Sequence, residues 1–89
     1  MSEDSTSSGQ PALPRYDYYS GPKRLPDLWT LTRSSLSLRC ALSTHAQGWE
    51  LRMAANNFSR TQICKTESDV YRMAEAWKAE AVAKGWSSV

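Results

Sequence analysis

Apolar and polar residues alternate in two stretches in the middle of the chain, and a repeat of two is typical of β-strands with one buried face. The apolar members of the first stretch are Leu36, Leu38, Cys40 and Leu42. Those of the second are Trp49, Leu51 and Met53. Residues 44–48 between them include a histidine, a glutamine and a glycine, which favour a turn. The pattern predicts two antiparallel strands joined by a short turn.

A third strand is predicted over residues 58–65. It follows a pair of asparagines, which tolerate the left-handed backbone conformations that two-residue hairpins need. Alternation is weaker here: one side carries Thr61 and Ile63, and the other carries Arg60, Gln62 and Cys64. We expect Ile63 on the buried face of the sheet. Arg60, Gln62 and Cys64 would then lie on the exposed face. Together the three strands form a three-stranded antiparallel β-meander.

The last quarter of the chain has the repeat of three and four residues that is typical of an amphipathic helix. Its apolar positions are Val70, Met73, Ala74, Trp77 and Ala81. Thr66 and Asp69 have the spacing of a capping box at a helix start. Gly85 is a natural terminator, and Trp86 is placed to fold back as the apolar contact of a glycine cap. The predicted helix runs from about residue 67 to residue 84.

Packing the apolar stripe of the helix on the apolar face of the sheet gives a two-layer α+β domain in the order β-β-β-α. The predicted core draws on both layers: Leu36, Leu38, Cys40, Leu42, Trp49, Leu51, Met53, Ile63, Val70, Met73, Trp77 and Ala81. Residues 27–35 leave two alternatives open, a short turn capped by Asp27 or an incoming extended segment. In both alternatives we expect Trp29 to enter the core.

Residues 1–26 differ in composition from the rest of the chain, since they hold all four prolines and show no apolar periodicity. Such a segment buries too little surface to offset its ordering entropy. We therefore predict a flexible Pro/Ser/Tyr-rich arm over 1–26, a folded domain over 27–89, and a fold that survives deletion of the arm. Tyr16, Tyr18 and Tyr19 allow two interpretations: an unstructured arm, or tyrosines that dock on the domain or on a partner.

Composition limits the chain to one small domain, because it has only 89 residues, of which 40% are hydrophobic. The longest apolar runs span a few residues, and the acidic N-terminus does not resemble a secretory signal. We therefore expect a cytoplasmic protein without membrane contact. Two cysteines 24 positions apart and one histidine predict neither a disulfide framework nor a metal site.

Candidate catalytic residues are scarce in the sequence. His45 lies in a predicted turn, and Cys40 is predicted to be a packed thiol. Cys64 falls on the polar side of the third strand, so it is predicted to be exposed and reactive. No histidine or asparagine lies near Cys64 in sequence, and no glycine-rich phosphate loop is present. We expect a protein that is not an enzyme and needs no cofactor.

The outer face of the predicted sheet is one candidate binding surface. It carries Arg39, Arg52 and Arg60, with Gln62 among them. Arginines on an uncovered antiparallel sheet can contact phosphates and base edges. The order of strands and helix resembles, in topology alone, small DNA-binding domains of plant transcription factors and phage-type integrases. Nucleic-acid binding through this face is therefore the alternative hypothesis.

Protein binding is the hypothesis that we favour. Residues 28–89 hold eight Lys and Arg against five Asp and Glu, an excess well short of the strongly basic footprint of nucleic-acid-binding domains. An uncovered sheet face, a free strand edge and an aromatic arm each offer a route to a protein partner. We predict a non-enzymatic binding module that acts as a regulator, adaptor or inhibitor.

Three short motifs lie in the second half of the chain: GWELR at 48–52, RTQICK at 60–65 and KGW at 84–86. Their order and spacing resemble a pattern in short uncharacterised bacterial proteins, where a GWELR strand precedes an R-S/T-Q-V/I-C strand and a helix ending in KGW. The resemblance covers roughly residues 38–86. It implies a bacterial cytosolic protein with this order of elements, and it places Arg52, Arg60 and Gln62 on one surface. It implies no activity and no role for any residue.

Overall fold

The computed structural model describes residues 12–56 and 58–88. Its elements in chain order are β1 (Arg24–Arg33), β2 (Leu36–His45), β3 (Gly48–Ala55), β4 (Phe58–Cys64), α1 (Glu67–Ala83) and β5 (Ser87–Ser88). The strands form one antiparallel sheet in the order β4-β3-β2-β1-β5. The predicted α+β class, with an antiparallel sheet and a C-terminal helix, is confirmed. The predicted strand number is wrong, because the sheet has five strands and not three.

β1 is the larger of the two additional strands. It pairs with β2, and a bulge between Leu25 and Trp29 interrupts the register. Pro26 lies within this bulge, where a residue without an N–H is tolerated in a sheet. β1 buries Leu25 and Leu31 on the same face but lacks the strict alternation of β2. The segment that the sequence left open is therefore extended, and the predicted boundary between arm and domain falls inside β1.

Both ends of α1 have the predicted caps. The Thr66 hydroxyl accepts a hydrogen bond from the Asp69 N–H at 3.1 Å. At the other end Gly85, with φ of +102°, donates to the Val82 carbonyl, and the Trp86 N–H donates to the Ala81 carbonyl. These two bonds form a Schellman motif, which requires the left-handed conformation that glycine adopts readily. The motif turns Trp86 back against the core and leads the chain into β5.

The core lies between α1 and one face of the sheet. Its strand pairs follow the predicted alternation in β2 and β3, with Cys40 opposite Met53 and Leu42 opposite Leu51. The helix contributes Val70, Ala74, Trp77 and Ala81, all buried. Leu36 and Met73 are only half-buried, and Trp29 packs against the core while its indole N–H donates to the Ala74 carbonyl at 3.0 Å.

The predicted orientation of β4 is wrong. Gln62 lies opposite Leu51, and Cys64 lies opposite Trp49, so the even-numbered residues of β4 face the helix. Ile63 lies opposite Glu50 on the other face, where it is half-buried and outside the core. The two-residue turn between β3 and β4 sets this register, because it pairs the last residue of one strand with the first residue of the next.

Candidate functional site

A cleft of about 250 Å³ opens between the C-terminal half of α1 and the ends of the four long strands. Its apolar walls come from Leu36, Leu38, Met53, Ala55, Phe58, Trp77, Ala81 and Trp86. Its polar lining consists of Arg33, Asn56, Arg60, Glu80 and Lys84. We call it the helix-end cleft. It lies where the turns between β1 and β2 and between β3 and β4 approach the Schellman motif.

Three aromatic side chains shape the helix-end cleft. Trp77 belongs to the buried stripe of α1, and the Schellman motif brings in Trp86. Phe58 begins β4 and keeps 45% of its surface exposed. A large apolar side chain that stays in water beside two tryptophans marks a surface suited to binding another apolar group.

Two arginines lie over the tryptophans of the helix-end cleft. The Arg60 guanidinium lies 5.4 Å from the Trp77 ring centre and donates to the Glu80 carboxylate at 3.0 Å. The Arg33 guanidinium lies 4.8 Å from the Trp86 ring centre and donates to the Lys84 carbonyl at 3.0 Å. Stacking and hydrogen bonding hold both cations in place, so a ligand need not order them.

The charge of the helix-end cleft is positive. Its cations are Arg33, Arg60 and Lys84, whereas its one carboxylate is Glu80. The hydrogen bond and charge of Arg60, together with the charge of Lys84, lower the pKa of Glu80 below its ordinary value. Glu80 is therefore ionised at neutral pH and offsets one of the three positive charges. The remaining excess favours an anionic group at the mouth of the cleft.

The volume of the helix-end cleft limits the size of the group that it can hold. Pockets for small-molecule ligands usually enclose about 300–1,000 Å³. At about 250 Å³ the cleft falls below this range. This volume suits one or two apolar side chains of a larger partner better than an entire drug-sized molecule.

The described part of the predicted arm packs on the domain. Leu13 packs against the core, and its N–H donates to Glu67 at 3.3 Å. The Pro14 carbonyl accepts a hydrogen bond from the Trp49 indole at 2.9 Å, and Arg15 lies over the Trp49 ring. Residues 13–15 therefore form part of the folded structure. The first eleven residues of the predicted arm lie outside the described part of the chain.

The three tyrosines of the arm differ in their surroundings. Tyr16 is half-buried and lines a pocket of about 170 Å³ with His45 and Trp49. Tyr18 meets Tyr16 edge to face at 4.8 Å between ring centres but is largely exposed. Tyr19 is fully exposed. Tyr16 therefore lies beside the domain, and docking of the tyrosines on the domain or on a partner stays a prediction.

The predicted arginine surface is divided between the two faces of the sheet. Arg39 lies opposite Ala54, so its diagonal neighbour on β3 is Arg52, and both arginines are exposed on the face away from α1. Arg60 and Gln62 lie on the helix face instead. The expectation that Arg52, Arg60 and Gln62 share one surface is therefore wrong, because the register of β4 differs from the predicted one.

Both cysteines are free and buried, so the predicted exposure of Cys64 is wrong. Cys64 is only 3% exposed because its strand places this side chain on the same face as that of Trp49. Burial raises the pKa of Cys40 to about 12 and also raises the pKa of Cys64 above its ordinary value. A thiol that is both covered and protonated at neutral pH is a poor nucleophile.

We predict that neither cysteine reacts with Ellman's reagent in the folded protein at pH 8. Both should react within seconds once the protein is unfolded in guanidinium chloride. Absorbance of the released thiolate measures the number of accessible thiols in each state. Rapid native labelling of Cys64, mapped by mass spectrometry, would show that the strand does not cover it.

Sequence reasoning missed most of the helix-end cleft. One signal was present, since Trp77, Glu80, Ala81 and Lys84 have the i, i+3, i+4, i+7 spacing of one helix side. The local sequence did not indicate that Phe58 and Arg33 line the cleft, because their positions depend on how their strands pair with other strands. Trp86 was expected to fold back but not to form a binding wall.

Comparison with protein-family models, curated proteins and solved structures finds no match for this chain. No helix among the described residues is long and apolar enough to cross a membrane. Within residues 12–56 and 58–88 no three potential metal ligands of the His, Cys, Asp or Glu type gather in one place. The resemblance to short bacterial proteins and the absence of enzymatic activity stay predictions.

Proposed function

We propose that the protein is a small non-enzymatic binding module that acts on a protein partner as a regulator, adaptor or inhibitor. The helix-end cleft receives an apolar side chain from a segment of that partner. Acidic residues beside this side chain contact Arg33 and Lys84 at the mouth of the cleft. This arrangement follows the usual division of labour at interfaces, in which a buried anchor supplies affinity and surrounding charges supply specificity.

The observation that carries the proposal is the pairing of exposed apolar surface with fixed positive charge. Aromatic rings and arginines are the groups most enriched at the energetic centres of protein interfaces. Here Trp77 and Trp86 lie beneath arginines held at 5.4 and 4.8 Å from their ring centres. Phe58 adds apolar surface that the rest of the fold leaves in water.

A labelled peptide with one central phenylalanine and two aspartates on each side tests the proposal. Fluorescence anisotropy should show saturable binding of this peptide. A peptide with lysines in place of the aspartates should bind at least about tenfold more weakly, a difference of about 1.4 kcal/mol. A peptide with alanine in place of phenylalanine should lose most of the affinity, because it cannot fill the apolar cleft.

Matched charge reversals locate the peptide on the protein. Lys84→Glu should weaken binding of the acidic peptide about tenfold. Lys65→Glu makes the same change of charge at an exposed position that does not line the cleft, and it should leave the affinity within about twofold. Equal binding of the acidic and basic peptides, or equal losses in the two variants, would rule out the cleft as the site.

Nucleic-acid binding is the second candidate, and one observation favours it. Arg39 and Arg52 are diagonal neighbours on the exposed sheet face, and neither forms an ion pair within the described part of the chain. This face holds two arginines instead of the three that were predicted, so fewer phosphates can be contacted. Duplex DNA binding that weakens steeply with salt and is lost in Arg52→Glu, but persists in Lys84→Glu, would favour this candidate.

A further inference from the structure

β4 is an edge strand of the sheet with seven residues, whereas the strand at the opposite edge, β5, has two. Natural proteins protect exposed edges with prolines, lysines, short strands or covering segments. β4 contains no proline and no lysine. Its one charged residue, Arg60, lies on the helix face and is engaged by Glu80. β4 thus has one of the usual protective features, an inward-pointing charge, and that charge is already paired with Glu80.

The free backbone groups of β4 follow from its pairing with β3. The turn closes on Ala55 and Phe58, and hydrogen-bonded pairs alternate along an antiparallel ladder from that point. The N–H and carbonyl groups of Ser59, Thr61 and Ile63 therefore point away from β3, towards the free edge. Within the described residues, one side chain covers part of this edge, because the Gln62 amide donates to the Ile63 carbonyl at 3.1 Å.

We propose that β4 pairs antiparallel with β4 of a second copy of this chain, about a two-fold axis at Thr61. Each Thr61 then exchanges backbone hydrogen bonds with Thr61 of the other copy, and Ser59 does so with Ile63. The two five-stranded sheets become one continuous sheet. Such a contact is isologous, since the same strand is used by both copies, and it closes after two subunits.

Charge and side-chain pattern select a second copy and this register. With the axis at Thr61, Arg60 of one copy lies opposite Gln62 of the other, so a cation meets a neutral amide. A shift that placed the axis at Arg60 would set two arginines opposite each other, and like charges directly opposite are destabilising. That shifted register would pair Ser59 with Thr61 of the other copy and would leave the outward-pointing groups of Ile63 without a partner within β4. The register with the axis at Thr61 is therefore the one that uses the outward-pointing groups of all three residues, Ser59, Thr61 and Ile63.

Analytical ultracentrifugation of the full chain tests the proposal. The wild-type protein should pass from the monomer mass to twice that mass as its concentration rises towards about 1 mM. Thr61→Pro should remain monomeric, because it removes an N–H that only the second copy uses, and proline is tolerated where an edge N–H faces water. Thr61→Val keeps the N–H and should dimerise as the wild type does.

Gln62→Ala tests the same contact without disturbing the backbone of β4. It removes the amide that covers the Ile63 carbonyl, so the dimer should form at lower concentration than in the wild type. This variant decides the question if circular dichroism shows that Thr61→Pro fails to fold. Unchanged or weaker association of Gln62→Ala would overturn the proposal.

Two further results would overturn it as well. One is a wild-type protein that stays monomeric over the whole concentration range. If an extended threonine-rich peptide then shifts the β4 amide signals, the edge binds a partner strand instead of a second copy. The other is a folded Thr61→Pro variant that dimerises like the wild type. Lys84→Glu should leave dimerisation unchanged, so failure of the cleft proposal and failure of this one are distinguishable.

Discussion

Replacing Gly48 with alanine is expected to destabilise the protein by about 3 kcal/mol or more, the upper end of the range for a strained backbone position. Gly48 has a φ of +139°, a region that L-residues with a side chain rarely adopt. An added Cβ would also lie 2.2 Å from the Cys64 carbonyl oxygen, so β3 and β4 would have to separate at their paired ends. Backbone cannot move aside as a flexible side chain does.

Thermal unfolding followed by circular dichroism measures this effect. A loss of 3 kcal/mol should lower the Tm of a domain of this size by about 15 °C. Gly21→Ala is the matched control, because Gly21 has a φ of +79° but no atom within 4 Å of an added Cβ. It carries a milder left-handed strain without the collision and should cost about 1 kcal/mol. Equal losses in the two variants would contradict the close approach of β3 and β4.

Deleting residues 1–26 is expected to abolish most of the stability, in contrast to the expectation from composition. The deletion removes Leu25 from the core, and loss of a buried leucine side chain costs about 2–5 kcal/mol. It also removes the Pro14 carbonyl that accepts the Trp49 indole N–H. An orphaned buried donor costs about 1–3 kcal/mol. Together these losses approach the total stability of an ordinary small domain, about 5–15 kcal/mol.

A shorter deletion separates the two parts of the segment. Removing residues 1–11 leaves every one of these contacts in place, so urea unfolding should give a free energy within about 1 kcal/mol of that of the full chain. The longer deletion should show no cooperative transition. If both truncated proteins unfold like the full chain, the contacts of Leu13, Pro14 and Leu25 do not stabilise the domain, and the predicted boundary at residue 26 is correct.

The elements with strong local signals were predictable from the sequence. β2 and β3 alternate strictly, and α1 has both a capping threonine and a terminating glycine, so their positions and buried faces agree with the structure. β1 was not predictable in the same way. Its bulge breaks the repeat of two, and Pro26 suggests a loop until a neighbouring strand is known.

The orientation of β4 shows how a weak pattern misleads. Ile63 is the most apolar residue of its side, which favoured burial of the odd-numbered set. Ala55, however, pairs with Phe58, and this pairing forces the even-numbered residues of β4 onto the helix face. The predicted two-residue hairpin therefore implied the observed register of β4. Turn geometry was a stronger constraint on this register than the hydrophobicity of one residue.

The candidate binding site could not be predicted because its residues come from distant parts of the chain. Arg33, Phe58 and Trp86 converge only after five strands have paired and the chain has turned at Gly85. The cation–π contacts of Arg33 and Arg60 depend on the same arrangement. A local sequence pattern predicts which residues a helix or strand buries. It does not predict which exposed residues of different helices and strands lie next to each other.

A side chain bound in the helix-end cleft would lie against Trp77 and Trp86, and the four indole N–H signals of the protein report on such binding. Trp29 and Trp49 donate to backbone carbonyls away from the cleft, so they serve as internal controls. In a two-dimensional proton–nitrogen titration with the acidic phenylalanine peptide, the indole signals of Trp77 and Trp86 should shift and saturate while the other two stay fixed. Shifts confined to Trp29 and Trp49, or no shift of any indole signal, would contradict the account.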